Sequence, residues 1–197
     1  LDCAREARAR GLRNVCHSNG FINEEPLREL CGYLDAADID LKGMSEDYYA
    51  TMTGGSLEPV LRTLRILKEE GVHVEITNLV VPGRNDDPEL VRSMCRWIHD
   101  ELGPDVPLHF SRFHPCHRLT DLPPTPVEVL DRSRAIAMEE GLRFVYIGNV
   151  PGHEASSTWC PECGELLIRR IGYDVEVVSL ENGLCGACGA SVPGVWE

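Results

Sequence analysis

Stretches typical of β-strands alternate with stretches typical of α-helices in residues 1–150, and this alternation limits the folds open to the chain. Apolar runs predict strands at residues 12–17, 37–41, 72–81, 108–113 and 143–147. Helical spacing predicts helices at residues 24–33, 57–70, 88–102 and 126–140, after an opening amphipathic helix that ends at Gly11. Strand–helix–strand units pair their strands in parallel. We therefore expect an α/β fold that is part of a (β/α) barrel. A doubly wound sheet stays open, because alternation does not fix strand order.

Four of the nine cysteines form two Cys-x-x-Cys pairs near the end of the chain, Cys160 with Cys163 and Cys185 with Cys188. A glycine follows each pair and lets the backbone fold beneath an ion. Two such loops supply the tetrahedral four-thiolate set that zinc accepts, at a spacing close to that of zinc ribbons. We predict a structural metal site that holds zinc, although iron accepts the same ligands. A disulfide pair is the alternative.

Composition bears on domains and partners. We expect a division into residues 1–150, which hold the barrel strands, and residues 151–197, which hold a four-cysteine metal-binding ribbon. A formal net charge of −13 disfavours nucleic acid and anionic membranes as partners. Scattered cysteines in an acidic chain favour reduced thiols, so we expect the cytoplasm. The opening stretch is typical of the last turns of a helix, and we expect the chain to be the C-terminal part of a longer protein.

Polar side chains follow the predicted strands where each one ends, the edge at which parallel α/β folds collect their chemistry. Asp40 and Lys42 are two residues apart and point to one face, which suits a carboxylate or zwitterionic ligand. A buried ion pair that only fixes register is the alternative. Asn19 could belong to a plain turn, and His114 could be an exposed loop residue. Burying this whole set without a ligand would cost several kcal/mol, so a ligand site is expected.

These residues also carry a resemblance. Asn19-Gly20, Asp40-Leu41-Lys42, the segment 80–86 (Val-Val-Pro-Gly-Arg-Asn-Asp) and Arg112-Phe113-His114-Pro115 resemble the radical S-adenosylmethionine enzymes related to the pyruvate formate-lyase activating enzyme. The segments 111–115, 120–126 and 148–152, with the closing cysteines, resemble more closely the radical SAM enzyme of the AmmeMemoRadiSam system. The resemblance covers nearly the whole chain.

The resemblance implies the later strands of a partial (β/α)6 barrel of radical SAM type, followed by a small zinc-ribbon-like domain. It implies two cofactors, S-adenosylmethionine and a [4Fe–4S] cluster held by a Cys-x3-Cys-x2-Cys loop. One electron from the cluster would cleave the sulfonium and give a 5′-deoxyadenosyl radical. It also implies a protein substrate and an electron donor such as flavodoxin or ferredoxin.

By matching position, the resemblance implies roles for six residues. Lys42 would pair with the methionyl carboxylate, and Asp40 would orient it. Asn19 would lie near the cofactor, Thr77 and Leu79 would lie beside its nucleoside, and His114 would hydrogen-bond it. The activating enzymes have an Asp two positions before Asn-Gly, and His17 stands there in this chain.

The three-cysteine cluster motif does not occur in the 197 residues. We therefore expect the cluster ligands to lie outside this chain and the chain alone to be inactive. Two other hypotheses compete. One is a different barrel enzyme with Lys42 as a Schiff-base nucleophile. The other is a zinc-ribbon interaction protein without catalysis.

Overall fold

Five parallel strands lie side by side in the order in which they occur in the chain. The computed structural model describes residues 1–196, in which these strands are β1 (Val15–Ser18), β2 (Ala36–Asp40), β3 (His73–Val80), β4 (Leu108–Arg112) and β5 (Val145–Gly148). Each strand pairs in parallel with the next. A doubly wound sheet reverses direction at a switch point. The sequential order excludes it for this sheet and confirms the barrel-type α/β fold.

Six helices accompany the sheet within the described residues. They are α1 (Asp2–Ala9), α2 (Glu24–Cys31), α3 (Glu46–Tyr48), α4 (Leu57–Glu69), α5 (Pro88–Leu102) and α6 (Val127–Glu139). A five-residue π-helix, Tyr49–Thr53, continues α3 and was not predicted from the sequence. No helix in residues 1–196 is both long and apolar enough to cross a bilayer.

Local sequence explains where the helices begin and what they bury. Asp87 caps α5, since its Oδ1 accepts hydrogen bonds from the backbone N–H groups of Glu89 (2.8 Å) and Leu90 (3.3 Å). The apolar residues of α4 recur at helical spacing, and Leu64 and Leu67 are completely or almost completely buried against the sheet. The helical layer therefore covers one face of the sheet and forms the core with it.

The first strand is shorter than predicted. Residues 12–14 form a connection instead of β-structure, because the Asn14 side chain donates to the carbonyl oxygens of Ala4 (2.8 Å) and Tyr33 (2.9 Å). These bonds fix α1 and the end of α2 beside β1. The last strand likewise begins at Val145 and not at residue 143. Residue Arg143 forms an ion pair with Asp105 before the strand starts.

The other face of the sheet is polar and half-exposed. In β3, buried residues alternate with half-buried ones, so Val74 and Ile76 face the helices while Glu75 and Thr77 face away. We call this second surface the open face. It consists of His17, Asp38, Asp40, His73, Glu75, Thr77, Leu79, His109 and Tyr146.

A small β-structure follows the sheet. It contains β6 (Thr158–Trp159), β7 (Leu166–Ile171) and β8 (Asp174–Val177) in one antiparallel sheet, and a hairpin of β9 (Leu180–Glu181) and β10 (Leu184–Cys185). We call residues 158–192 the ribbon. Its own core packs on Phe144, and Tyr146 of β5 contacts Thr158 with the two hydroxyl oxygens 3.0 Å apart. The ribbon therefore sits against the last strand of the sheet.

Candidate functional site

The carboxyl edge of the open face carries a half-buried ion pair. Lys42 lies just beyond β2, and its Nζ is 2.8 Å from Oδ2 of Asp40. The side chains of Lys42 and Asp40 are 33% and 22% exposed, so water reaches the pair only in part. The predicted shared face is confirmed by this contact. An ammonium group at the mouth of a strand edge can bind a ligand carboxylate while Asp40 fixes its direction.

The Asn19-Gly20 turn lies beside this pair. The Asn19 side-chain oxygen accepts a hydrogen bond from the Phe21 N–H (3.0 Å), which is the local geometry of a tight turn. Gly20 is buried with a φ of +69°, and an added Cβ would lie 2.8 Å from Cγ2 of Ile39. Only glycine fits there, and the turn consequently holds Asn19 against the neighbouring strand.

A cavity of about 480 Å³ opens at this edge. Three of the predicted residues line it: Asn19, Lys42 and Leu79. Most of the remaining wall is apolar or aromatic and includes Phe21, Tyr49, Met52, Val60, Val81, Phe113 and Leu119. Cation and amide at one side, with apolar walls around them, suit a ligand that has an anionic head and a flat or apolar body.

Asp38 forms a second polar group on the open face, one step below the ion pair. It accepts a hydrogen bond from the Thr77 hydroxyl (3.0 Å), and His17 Nδ1 lies 2.9 Å from its other oxygen. The Nε2 atom of His17 is 3.8 Å from Asp40. Thr77 is therefore held within the sheet and is absent from the cavity wall. His17, at the position where the resemblance predicts an Asp, lies between the carboxylates of Asp38 and Asp40.

His114 lies apart from these residues. It is exposed in the loop after β4 and is not among the cavity-lining residues. A neighbouring buried residue, Thr125, fixes the start of that loop, since its Oγ1 donates to the Val80 carbonyl (2.6 Å) and accepts from the Phe113 N–H (3.0 Å). The predicted cofactor contact of His114 stays a prediction.

Three buried side chains at this edge were given no role by the sequence reasoning. Asn78, Tyr49 and Asn85 bind main-chain groups on either side of Lys42. The motif at residues 80–86 contained Asn85, but its partner is 43 residues away in the sequence. No periodic pattern marks Tyr49, which lies in the π-helix.

The four ribbon cysteines converge on one point. Their sulfur atoms all lie within 4.8 Å of one another, and the pairs Cys160–Cys188 and Cys163–Cys185 are 3.7 Å apart. Tetrahedral zinc with Zn–S bonds of about 2.3 Å separates its sulfurs by about 3.8 Å, whereas a disulfide needs about 2.05 Å. The arrangement suits a metal ion and not a pair of disulfides.

The two cysteine loops repeat the same backbone geometry. Gly164 N–H donates to the Cys160 carbonyl (2.9 Å), and Gly189 N–H donates to the Cys185 carbonyl (2.8 Å). Both glycines have a φ of +74°. The role predicted for a glycine after each pair is confirmed. The backbone N–H groups of Cys188 and Ala187 lower the pKa of the Cys185 thiol, whereas hydrogen bonds among the sulfurs raise the pKa of the Cys163 and Cys188 thiols. In the absence of an ion, Cys185 therefore holds the thiolate of the cluster.

The opposite, amino-terminal edge of the sheet is where the ribbon docks. Ribbon residues Thr158, Ile168 and Arg170 line one cleft together with Ala36 and His73, which begin β2 and β3. In the open face above this cleft, His109 Nε2 is 2.8 Å from Glu75. The hydrogen bonds from His109 and His73 hold the pKa of the Glu75 carboxyl well below its usual range. The cluster of His73, Glu75 and His109 therefore lies at the junction between the sheet and the ribbon.

Comparison with known proteins agrees with this geometry. Residues 1–94 match the family model described as the Radical SAM superfamily. An uncharacterized protein of Methanocaldococcus jannaschii is 47% identical over 188 residues, which cover 94% of this chain and 56% of that protein. The isethionate sulfite-lyase activating enzyme of Desulfovibrio desulfuricans is 34% identical over 96 residues, 48% of this chain and 31% of the enzyme.

The chain is also similar to activating enzymes of pyruvate formate-lyase. The pyruvate formate-lyase 1-activating enzyme of Escherichia coli K12 is 22% identical over 158 residues, 74% of this chain and 64% of the enzyme. A solved domain of the pyruvate-formate lyase-activating enzyme from Bacteroides vulgatus shares the fold, with a TM-score of 0.65 and 17% identity over 75% of this chain and 88% of that one. The chain thus spans about half of the first relative and less than two thirds of both enzymes.

These findings confirm the predicted resemblance to the radical SAM superfamily and to the activating enzymes. The narrower resemblance to the AmmeMemoRadiSam system stays a prediction. The superfamily match favours neither of the two alternatives drawn from the sequence, an enzyme with Lys42 as a Schiff-base nucleophile and a zinc-ribbon interaction protein. If the chain were only a zinc-ribbon interaction protein, the cavity at the opposite edge of the sheet would have no role.

Proposed function

We propose that this chain forms the part of a radical S-adenosylmethionine enzyme that grips the methionyl carboxylate and the nucleoside of its cofactor. The observation that carries the proposal is the half-buried Asp40–Lys42 pair, which opens into an apolar cavity at the carboxyl edge of a parallel sheet. The superfamily match and the activating-enzyme homology support the same assignment.

Different residues of the cavity bind different parts of the cofactor. Lys42 binds the carboxylate, and Asp40 keeps the ammonium pointed at it. Asn19 presents its amide in the wall of the same cavity, and Leu79 offers an apolar surface to the nucleoside. The donor set fits the cofactor, since one cation and apolar walls match a ligand with a carboxylate and a flat base. In this proposal His114 hydrogen-bonds the cofactor from its exposed loop.

With S-adenosylmethionine held at Lys42 and Asn19, a reduced [4Fe–4S] cluster would supply the electron for reductive cleavage of the sulfonium, which would give the protein its radical chemistry. The ribbon does not fit that cluster. Its four thiolates fill every position of a tetrahedral site, so they leave no ligand place for the cofactor. We propose that cysteines outside these 197 residues hold the cluster and that the ribbon holds a structural zinc ion.

The partners follow from the same assignment. We propose a polypeptide substrate, because the homologous activating enzymes are named for the lyases they activate and because Phe21 places an exposed aromatic ring in the cavity wall. We propose an electron donor of the flavodoxin or ferredoxin type and a reducing cytoplasm. On the motifs at residues 120–126 and 148–152, we further assign the protein to AmmeMemoRadiSam systems.

Anaerobic reconstitution of the whole protein tests the proposal. Reduced, cluster-loaded protein is expected to release 5′-deoxyadenosine from S-adenosylmethionine. Lys42→Met is expected to weaken cofactor binding about 10- to 100-fold, as a hydrogen bond to a charged group is worth about 1.5–3 kcal/mol. Lys68→Met, an exposed residue of α4, is the matched control and should bind as the wild type does.

Two results would contradict the proposal. One is the absence of 5′-deoxyadenosine from protein with a full complement of reduced cluster. The other is a Lys42→Met variant whose affinity for S-adenosylmethionine equals that of the Lys68→Met control.

A further inference from the structure

We infer that three buried residues, Tyr49, Asn78 and Asn85, are positioning residues that clamp the main chain at Lys42 and so fix its ammonium for the cofactor carboxylate. The inference rests on the proposed function, in which Lys42 binds that carboxylate. It goes further by naming residues that act on the Lys42 main chain through hydrogen bonds.

The clamp acts just where the sheet stops supporting the chain. Strand β2 ends at Asp40, so the peptide groups beyond it have no ladder partner. The peptide group between Leu41 and Lys42 is held at both ends. Its carbonyl accepts from Asn78 Nδ2 (2.7 Å), and its N–H donates to the Tyr49 hydroxyl (3.1 Å).

The next peptide group is held as well. The Lys42 carbonyl accepts from Asn85 Nδ2 at 2.7 Å. The same nitrogen donates to the Leu79 carbonyl at 2.9 Å, and the Asn85 side-chain oxygen accepts from the Val81 N–H at 2.7 Å. Asn85 therefore joins the end of β2 to the end of β3. Two walls of the cavity are thereby tied together.

All three side chains are almost inaccessible to water. Asn78, Tyr49 and Asn85 are 1%, 3% and 6% exposed. Burying polar groups without a partner costs free energy, and the Oδ1 atom of Asn78 has no hydrogen-bond partner. Apolar side chains could end the strand without this cost. The hydrogen bonds of the three residues meet at the two peptide groups that flank Lys42, which carries the charged group of the cavity.

The clamp limits the freedom of the lysine. A lysine side chain is long and flexible, and a mobile backbone would add to the entropy lost on binding. With its two flanking peptide groups fixed, Lys42 has only side-chain torsions left, and Asp40 restrains these through Nζ. The geometry is therefore set before the ligand arrives, which lowers the entropic cost of binding.

Tyr49→Phe tests the clamp, because it removes one hydroxyl and keeps the ring. The probes are S-adenosylmethionine and 5′-methylthioadenosine, which share the nucleoside but differ in the carboxylate. Calorimetric titration of the variant should show binding of the first about 3- to 10-fold weaker, the range expected for one hydrogen bond, with the second unchanged. In a Lys42→Met background, Tyr49→Phe should weaken binding no further.

Tyr146→Phe is the matched control, since it loses a hydroxyl contact to Thr158 at the far edge of the sheet. It should bind both probes as the wild type does. Hydrogen exchange at the Lys42 amide gives a second readout and should be faster in Tyr49→Phe alone.

The outcomes separate the clamp from the proposed function. If Lys42→Met weakens S-adenosylmethionine binding but Tyr49→Phe does not, the clamp is overturned and the cofactor site stands. If Tyr49→Phe weakens both probes equally, the residue has only a structural role and the inference fails. If Lys42→Met itself changes neither probe, the proposed function fails together with the clamp.

Discussion

The carboxyl-edge cavity and the cysteine ribbon lie at opposite edges of one parallel sheet and are held together in different ways. The ribbon gathers four thiols whose sulfurs lie within 4.8 Å of one another, contributed by two short loops of identical geometry. The cavity is built from residues that follow β1, β2 and β4, from Leu79 of β3 and from the segment between β2 and β3, and hydrogen bonds between distant residues join these parts. In our proposal the ribbon depends on an ion, whereas the cavity depends on side chains that bind backbone groups.

This difference explains the separate tasks of the two sites. A closed four-thiolate site has no free coordination position and supplies stability. A half-buried ion pair beside an apolar cavity keeps its cation available to a ligand. Four cysteines in a relative of iron–sulfur enzymes invite assignment as the reactive cluster, but their position at the amino-terminal edge sets them apart from Lys42.

Metal removal should give the largest effect and should be confined to the ribbon. Structural zinc contributes about 10–16 kcal/mol of apparent binding free energy in small domains, which a ribbon of this size cannot replace by packing. We expect Cys185→Ser to lose the ion and the hydrogen-exchange protection of residues 158–192, while the parallel sheet stays protected. Metal analysis and hydrogen exchange measure both.

Cys3→Ser, on an exposed position of α1, is the control for this experiment and should keep its ion. A Cys185→Ser ribbon that stays protected without metal would show that packing alone holds it. Loss of the sheet together with the ribbon would show that the two regions fold as one unit.

Gly20→Ala should give the next largest loss of unfolding free energy, and the loss should come from the cavity region and not from the ribbon. The positive φ costs about 1–2 kcal/mol for a residue with a Cβ, and the clash with Ile39 adds about 1–3 kcal/mol for overpacking. Gly11→Ala is the matched control, because its φ is +75° but nothing lies within 4 Å of the added carbon. Urea unfolding should show a greater loss of unfolding free energy for Gly20→Ala.

Equal losses for the two alanine variants would contradict the close packing of the Asn19-Gly20 turn. If Gly20→Ala lost stability but kept its affinity for S-adenosylmethionine, the Asn19-Gly20 turn would not be needed to shape the cavity.

The smallest expected effect lies at the junction between the two regions. Hydrogen bonds from His109 and His73 lower the pKa of Glu75, so its contribution to stability is present above its unfolded-state pKa of about 4.3 and is lost as pH falls. The bond to Glu75 raises the pKa of His73, so that contribution is full below about pH 6.5 and is lost as pH rises. The cluster should therefore stabilise most between these limits.

Glu75→Gln should flatten this pH dependence by no more than about 1 kcal/mol, because the side chains are partly exposed to solvent. Urea midpoints at acidic, intermediate and alkaline pH measure it, with Glu29→Gln on the exposed side of α2 as the control. Identical pH profiles for the wild type and Glu75→Gln would show that the pairing adds nothing to stability.

The two regions also differ in how far sequence reasoning reached. The ribbon ligands were predicted in full, because each pair is local and its glycine marks the turn. The helices and strands of the parallel sheet, apart from α3 and the π-helix, were predicted to within a few residues, since the apolar spacing is regular. Alternation alone left strand order open, because order depends on contacts between elements, and the sequential order agrees with the barrel that we expected.

The cavity was predicted only in part. Asn19, Lys42 and Leu79 meet at one edge as expected, since the ends of parallel strands converge. The Thr77 hydroxyl donates to Asp38 and does not line the cavity, and His114 lies in an exposed loop. Tyr49 escaped notice because its hydroxyl meets a backbone group, and a side chain that binds backbone requires no complementary residue that a sequence could reveal.

Mapping of amide shifts on the ¹⁵N-labelled chain during titration with S-adenosylmethionine tests the central claim most directly. The account predicts shifts around Asn19, Lys42 and Leu79, and unchanged signals in the ribbon around Cys160 and Cys185. Shifts concentrated in the ribbon, with none at the carboxyl edge of the sheet, would contradict it.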